Sequence, residues 1–298
     1  MKTIKELINE SLTEVAATKD ILRDENIKRV YRSCPELKET DDQILNVRNS
    51  RFIAVIDKDE RLIKRFDIAE EELLTKRERI IQRNQIDPEF DSLKVICSKC
   101  DDTGYTRGSD GTLKVCQCRK NELNAAYEYS GMADYSSYKM KNYRDDYLGD
   151  AEGRKKIKNE LLKVLLGLAD KDDRTSLWIY SAPPQTGKTF LVISICKTAI
   201  NLVKSAYYAK CEDLQNLGTD TLEDIKNIDF LVLDDFADSV TLTNNVGSLL
   251  NNILEVRAAS RLPTVLVSPF PKSDLVNKCD MRISGKLQSA KLISKESR

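Results

Sequence analysis

The chain has 298 residues, of which 41% are hydrophobic and 32% charged, with 48 Lys and Arg balancing 48 Asp and Glu. This length predicts two domains, and the even charge balance gives no global attraction to nucleic acid, although it is compatible with a local basic patch. Histidine is absent, which excludes Ser–His–Asp and Cys–His catalysis and imidazole metal ligands.

The first 90 residues are predicted to be helical. Apolar residues recur at helical spacing among dense charges, at 4–15 and again at 62–81. Such helices are usually the solvated faces of a bundle or hairpin; a partner-binding module is the alternative, and periodicity does not separate the two. The N-terminus lacks a signal-peptide core and no apolar run is long enough to span a bilayer, so we expect a cytoplasmic protein without a membrane partner.

Four of the eight cysteines lie in one short region, residues 91–120. Cys97 and Cys100 form one pair, Cys116 and Cys118 form another, and a turn-rich segment separates them. Two such pairs can converge on one tetrahedral Zn²⁺ ion through four thiolates, which predicts a small zinc-binding module. Disulfides and a redox Cys-x-x-Cys are the alternatives. A cytoplasmic location disfavours the first, and the lack of a thioredoxin-like βαβ pattern disfavours the second.

Residues 121–150 are predicted to be a linker that is rich in tyrosine. Its aromatic and basic side chains are candidates for stacking on nucleic-acid bases or on adenine. Ordinary packing of the linker onto the next domain is the alternative, and is at least as well supported by the composition.

Helical and strand patterns alternate through residues 151–298, which predicts an α/β domain with a mostly parallel sheet and helices on both faces. The predicted strands lie at 177–180, 205–209, 230–233 and 264–267. The predicted helices lie at 157–168, 190–203 and 246–259.

A phosphate-binding loop is predicted between the strand at 177–180 and the helix at 190–203. Backbone N–H groups of the loop and helix N-terminus cradle phosphate in this motif, while Lys188 is expected to reach the β- and γ-phosphates and Thr189 to ligate Mg²⁺. Ala182 stands where the strict pattern has glycine, and alanine is less free at positive φ. The predicted nucleotide-binding residues of this loop are Ala182, Pro183, Pro184, Gln185, Thr186, Gly187, Lys188, Thr189 and Phe190.

Two carboxylates end the apolar run at 230–233, where open α/β sheets place their ligands. Asp234 is predicted to hold Mg²⁺, and Asp235 to orient or deprotonate the attacking water. An apolar run that ends in two aspartates is by itself usually just a strand end. Following a phosphate-binding loop, it predicts a nucleoside triphosphatase.

In chain order, these motifs resemble those of bacterial DnaC/DnaI-type helicase loaders, which are AAA+ ATPases. The resemblance covers about residues 90–290, and its more specific part is Cys97-x-x-Cys100-x-Asp-Thr-Gly-Tyr105 joined to a P-loop domain. It implies an AAA+ fold that binds ATP and single-stranded DNA and self-associates. It also implies an N-terminal region that binds the replicative hexameric DNA helicase, so that the helicase is loaded onto DNA in replication initiation or restart.

Three positions depart from the family's pattern. The polar sensor after the strand at 264–267, commonly Asn in the family, is replaced by Ser268-Pro269, which leaves Ser268 as the polar candidate near the γ-phosphate. The family's Arg-Ile-x-Ser-Arg-Leu becomes Arg282-Ile-Ser-Gly-Lys-Leu287: Arg282 matches, whereas Lys286 keeps the catalytic charge but loses the bidentate fork. Together with Ala182, these departures predict weak ATP hydrolysis.

Two other functions fit the same motifs. One is a transposition or phage-replication accessory ATPase similar to the IstB type, which typically lacks the long N-terminal zinc-bearing region. The other is a hydrolysis-deficient adaptor that only binds the helicase. Arg257 and Arg261 are candidate subunit-interface or DNA-contacting cations, or equally plain surface charges.

Overall fold

The computed structural model describes residues 2–144, 151–167, 176–181, 186–236, 245–275 and 291–295. The chain divides into two compact units: Leu12–Asp101 is one, and Met1–Ser11 with Asp102–Arg298 is the other. The domain boundaries predicted at residues 90, 120 and 150 stay predictions. Within the described ranges, no helix is both long enough and apolar enough to cross a membrane.

Three long helices precede residue 90 in the described chain: α1 (Ile4–Ser33), α2 (Pro35–Ile56) and α3 (Glu60–Arg83). Helix α2 starts at a proline, whose fixed φ and missing N–H suit the first helical turn. Asp59 caps α3 by accepting the N–H groups of Arg61 and Leu62 at 3.0 and 3.1 Å. Helices α2 and α3 contact each other along their length. The predicted helical N-terminal region is therefore confirmed.

The core of the Leu12–Asp101 unit lies near one end of these helices. It is built from Cys34, Leu37, Ile80, Ile81 and Phe90. Tyr31 packs edge-on against the Phe90 ring at a centroid distance of 6.1 Å. Burying an aliphatic side chain such as Leu37 contributes roughly 1.5–3 kcal/mol to the stability of the folded unit.

A short hairpin lies between the two cysteine pairs, in the segment that the sequence predicts only to be rich in turns. Strands β1 (Tyr105–Arg107) and β2 (Leu113–Val115) pair in antiparallel register, and helix α4 (Lys120–Tyr129) comes next. Gly104 precedes β1 with φ +79°, and a Cβ there would lie only 2.8 Å from the Ile8 side chain. The position therefore needs glycine both for its backbone conformation and for close packing.

A five-stranded parallel sheet forms the centre of the larger unit, with the strand order β4-β5-β6-β3-β7. Its strands are β3 (Leu177–Ser181), β4 (Ala206–Lys210), β5 (Phe230–Asp234), β6 (Thr264–Ser268) and β7 (Lys291–Lys295). The helices of this region are α5 (Ala151–Gly167), α6 (Lys188–Asn201), α7 (Thr219–Asn227), α8 (Asn245–Ala259) and α9 (Lys272–Leu275). The predicted α/β fold is confirmed, whereas α7, α9 and β7 had not been predicted.

Both faces of the sheet are buried. Leu231 and Leu233 share one hydrophobic cluster with Leu250 and Ile253 of α8. Phe230 and its alternate neighbours along β5 point to the opposite face and are also fully buried, where α6 contacts β4 and β5. The continuous apolar runs of these strands follow from this two-sided burial.

The residues that follow α4 pack against strand β4. The Ser130 carbonyl accepts the Tyr208 N–H at 3.0 Å, which satisfies a backbone donor on the edge strand of the sheet. Gly131 has φ +76°, and a Cβ there would lie 2.1 Å from the Tyr208 carbonyl oxygen. The Tyr135 ring meets the Tyr208 ring edge-on at 5.4 Å. Packing onto the sheet, the alternative considered for the tyrosine-rich segment, is therefore what its described part shows.

Candidate nucleotide-binding site

A cavity of about 580 Å³ opens where the N-terminus of α6 meets the carboxyl ends of β5 and β6. This volume lies within the usual range for small-molecule sites. The structure brings to this cavity every predicted site residue of the phosphate-binding motifs that it describes: Thr186, Gly187, Lys188, Thr189, Phe190, Asp234, Asp235 and Ser268. Their roles remain predictions.

The described start of α6 fits the predicted phosphate-binding loop. Gly187 precedes the helix with φ +80°, a left-handed conformation that favours glycine, and its carbonyl accepts the Leu191 N–H at 3.0 Å. The N–H groups of the first turn have no partner within a helix and point out of its N-terminus, where anions are stabilised. This end of α6 lines the cavity.

Lys188 is the first residue of α6 and one of the cations that line the cavity. Its Nζ donates a hydrogen bond to the Thr186 hydroxyl at 3.3 Å. Burial lowers the pKa of the Lys188 ammonium below its usual value, and the carboxylates of Asp234 and Asp235 offset only part of that shift. A partly desolvated ammonium interacts strongly with an anion, because water screens it less.

Asp234 ends β5 and is almost completely buried, at 1% exposure. Its Oδ2 accepts the Thr189 hydroxyl at 2.7 Å and the Tyr208 hydroxyl at 3.1 Å, and its Oδ1 accepts the Asp235 N–H at 2.9 Å. Hydroxyl and carboxylate oxygens are the protein ligands that Mg²⁺ prefers. The adjacent Thr189 and Asp234 oxygens therefore fit the predicted magnesium site.

Asp235 lies directly after β5 in a left-handed turn. Its φ is +52°, which is strained for most residues but tolerated by aspartate. The next residue, Phe236, donates its N–H to the Val267 carbonyl at 2.8 Å, which fixes the turn to β6. The Asp235 side chain is about half exposed, and its Oδ2 lies 3.9 Å from the Lys210 Nζ. The solvated carboxylate is therefore accessible from the cavity, as a water-positioning group must be.

Ser268 ends β6 and is buried, and its Oγ accepts the Phe270 N–H at 3.1 Å. Pro269, beside it, also lines the cavity. Six of the predicted site residues lie outside the described residues: Ala182, Pro183, Pro184, Gln185, Arg282 and Lys286.

Sequence reasoning missed several residues that line the same cavity. Arg154, on α5, is buried at 6% exposure, and its guanidinium donates to the Arg144 carbonyl at 3.5 Å. Tyr138 stacks on Phe190 with a centroid distance of 4.5 Å, and Tyr143 lies 5.9 Å from the same ring. The tyrosine-rich composition had indicated base stacking as one option, but no sequence signal distinguishes Arg154 from other arginines of an amphipathic helix.

Arg257 was a candidate interface or DNA-contacting cation, and the structure contradicts this. It is 1% exposed, and burial lowers the pKa of its guanidinium to about 9. It donates at 2.6–3.0 Å to the Thr264 hydroxyl and to the carbonyls of Ile225, Ile228 and Pro263. Two of these carbonyls belong to the C-terminal end of α7 and the residue that follows it, so the side chain satisfies acceptors that the helix leaves open. Arg261, by contrast, is exposed.

The four cysteines predicted to bind zinc come together. The sulfur atoms of Cys97, Cys100, Cys116 and Cys118 all lie within 4.8 Å of one another. Zinc–thiolate bonds of about 2.3 Å in a tetrahedron place sulfurs roughly 3.8 Å apart, so this cluster fits a Zn²⁺ ion. No disulfide joins the seven cysteines in the described part of the chain.

No protein-family model matches the chain, and no curated protein matches it. Among solved structures, it is similar to a protein assigned as a primosome component from Streptococcus pyogenes serotype M3, at 19% identity and a TM-score of 0.43 over 54% of this chain and 88% of that one.

It is also similar to DnaI, at 20% identity and a TM-score of 0.42 over 54% of this chain and 88% of that one. For the DnaC helicase loader, the values are 17% identity and a TM-score of 0.43 over 55% of this chain and 99% of that one. Identities and TM-scores at this level carry no functional argument. The neighbours include the DnaC/DnaI helicase-loader class that the sequence motifs resemble.

Proposed function

We propose that the chain is an ATP-binding helicase loader, which binds the replicative hexameric DNA helicase and promotes its loading onto single-stranded DNA. The observation that carries the nucleotide part is the meeting of Lys188, Thr189 and Asp234 at the N-terminus of α6, in one cavity. A strand end alone would not place a hydroxyl, a carboxylate and a partly desolvated ammonium around one helix N-terminus.

Each of these residues has a role in the proposed site. The first N–H groups of α6 and the Lys188 ammonium hold the β- and γ-phosphates, because both present positive charge to the cavity. The Thr189 hydroxyl and the Asp234 carboxylate hold Mg²⁺, which neutralises charge on the phosphates when it is bound. Asp235 orients the attacking water. We expect binding to exceed hydrolysis, given Ala182, Pro269 and Lys286.

Exposed apolar residues of the Leu12–Asp101 unit support a role for it in partner binding. Leu45, Phe52 and Ile56 of α2 are 57%, 66% and 63% exposed, and their spacing places them along one side of the helix. An exposed apolar stripe of this kind on a charged helical hairpin is typical of a protein-binding surface. We propose that the replicative helicase binds this surface of α2.

A pull-down with the replicative helicase of the same organism tests this partner. We expect the wild-type chain to retain the helicase, and the double variant Phe52→Ser, Ile56→Ser to lose at least about tenfold in recovery, since removing two apolar anchors weakens an interface strongly. Leu166→Ser is the matched control, because Leu166 is 61% exposed on α5. Failure to recover helicase with the wild-type chain, with or without ATP, would contradict the proposed partner.

The cysteine cluster makes a separate prediction about metal content. We expect about one zinc per chain by elemental analysis, because four thiolates complete a tetrahedral structural site. The double variant Cys97→Ser, Cys100→Ser should lose it, whereas Cys34→Ser should keep it, since Cys34 belongs to the helical core. A wild-type protein purified without chelator that holds no zinc would refute the metal assignment.

A further inference from the structure

Tyr208 is a buried tyrosine whose hydroxyl bonds a residue of the predicted magnesium site. It lies on β4 at 3% exposure, and its hydroxyl donates at 3.1 Å to Oδ2 of Asp234, which ends the neighbouring strand β5. The same oxygen accepts the Thr189 hydroxyl at 2.7 Å. Tyr208 therefore shares its acceptor with a residue of the predicted magnesium site, although its own ring does not line the cavity.

The hydrogen bonds to Asp234 fix the direction of its carboxylate. Donors reach both oxygens, because the Asp235 N–H binds Oδ1 while the two hydroxyls bind Oδ2. A buried carboxylate without such partners is costly, and hydrogen bonds to the ionised form stabilise it. Of the two side chains that donate here, Tyr208 is the one with no predicted contact to the ion, so its bond persists whatever the Thr189 hydroxyl does.

Tyr208 is itself held rigidly by the segment that precedes the sheet. The Ser130 carbonyl accepts the backbone N–H of Tyr208. Gly131 lies so close to the Tyr208 carbonyl oxygen that a side chain at position 131 would clash with it. The Tyr135 ring packs edge-on against the ring of Tyr208. Its phenolic hydroxyl is a hydrogen-bond donor at neutral pH.

We propose that Tyr208 is a positioning residue for the magnesium site: through its hydroxyl it holds the Asp234 carboxylate in the orientation that binds the ion. It touches neither the nucleotide nor the metal. This inference rests on the proposed function, because it requires Thr189 and Asp234 to hold Mg²⁺.

Tyr208→Phe removes only the hydroxyl, and Tyr207→Phe is the matched control. Tyr207 is the adjacent buried tyrosine of β4, but its side chain joins the cluster on the opposite face of the sheet. The measurement is equilibrium binding of a fluorescent ATP analogue to the full chain over a series of Mg²⁺ concentrations. We expect Tyr208→Phe to raise the half-saturating Mg²⁺ concentration about tenfold, as for other residues that orient a metal ligand.

Binding of the analogue in EDTA should be unchanged in Tyr208→Phe, and Tyr207→Phe should match wild type in both conditions. A general packing defect would instead weaken binding with and without Mg²⁺, and either that result or an unshifted Mg²⁺ titration would overturn the inference. The proposed function fails separately, in the wild-type protein, if its binding of the analogue does not respond to Mg²⁺ at all.

Discussion

Replacing Lys188 with alanine is expected to lower the affinity of the chain for ATP·Mg²⁺ by about 100-fold while leaving the free protein at least as stable as wild type. The ammonium contributes charge-assisted hydrogen bonds to phosphate, each worth about 1.5–3 kcal/mol, and 1.4 kcal/mol is a factor of ten in affinity. The free protein loses little, because burial already disfavours the charged form of Lys188 and lowers its pKa. A lower ATP affinity with unchanged stability of the free protein would show that Lys188 acts in nucleotide binding and not in folding.

Nucleotide affinity is measured by titration of a fluorescent ATP analogue, and stability by the fluorescence of Trp178. Trp178 is the only tryptophan of the chain and is fully buried in β3, so it reports on the unit that contains the site. Lys163→Ala is the matched control, since this lysine is 72% exposed on α5 and bonded only to nearby Glu160 among the contacts described. Binding by Lys188→Ala within twofold of wild type would contradict the assignment of the phosphate site.

The second large effect is structural: Arg257→Ala should destabilise the larger unit by about 3–5 kcal/mol. The substitution leaves several buried carbonyls without a donor, each costing about 1–3 kcal/mol, and it opens a cavity between α7, α8 and β6. A pKa of about 9 keeps the wild-type guanidinium charged at neutral pH, so its hydrogen bonds compensate for a real desolvation cost. Denaturant unfolding followed by Trp178 fluorescence measures the change.

Arg257→Lys should fall between wild type and alanine, because an ammonium keeps the charge but cannot reach acceptors on several sides at once. Arg261→Lys, at an exposed position four residues on, should stay within about 0.5 kcal/mol of wild type. If Arg257→Ala unfolded at the same denaturant concentration as wild type, the hydrogen bonds of Arg257 would not stabilise the larger unit, which would contradict this prediction.

The sequence was most informative where one local pattern predicts both a strand and the functional residues that follow it. The apolar runs at 177–180 and 230–233 are strands because both faces of the sheet are covered, and the residues after them lie at its carboxyl edge as a consequence. Thr189 and Asp234 are far apart in sequence, yet their oxygens lie 2.7 Å apart, as the pairing of the two motifs predicts. The order of the motifs was enough to predict this contact.

What the sequence could not predict depends on contacts between distant segments. Arg257 falls on a helical pattern like any surface arginine, and only the fold brings the end of α7 onto its guanidinium. Tyr208 is one tyrosine in an apolar strand, and its bond to Asp234 requires the β4–β5 register. The first residues of α1 join the larger unit because Ile8 packs against Gly104, a contact that helical periodicity does not encode.

The most direct test of the proposed function is ATP-dependent loading of the replicative helicase onto circular single-stranded DNA, with the helicase that remains on the DNA measured after gel filtration. We predict that the wild-type chain with ATP increases the DNA-bound helicase several-fold over helicase alone, and that Lys188→Ala does not. Helicase binding to the circle that is the same with and without the wild-type chain, in the presence of ATP, would contradict the proposal.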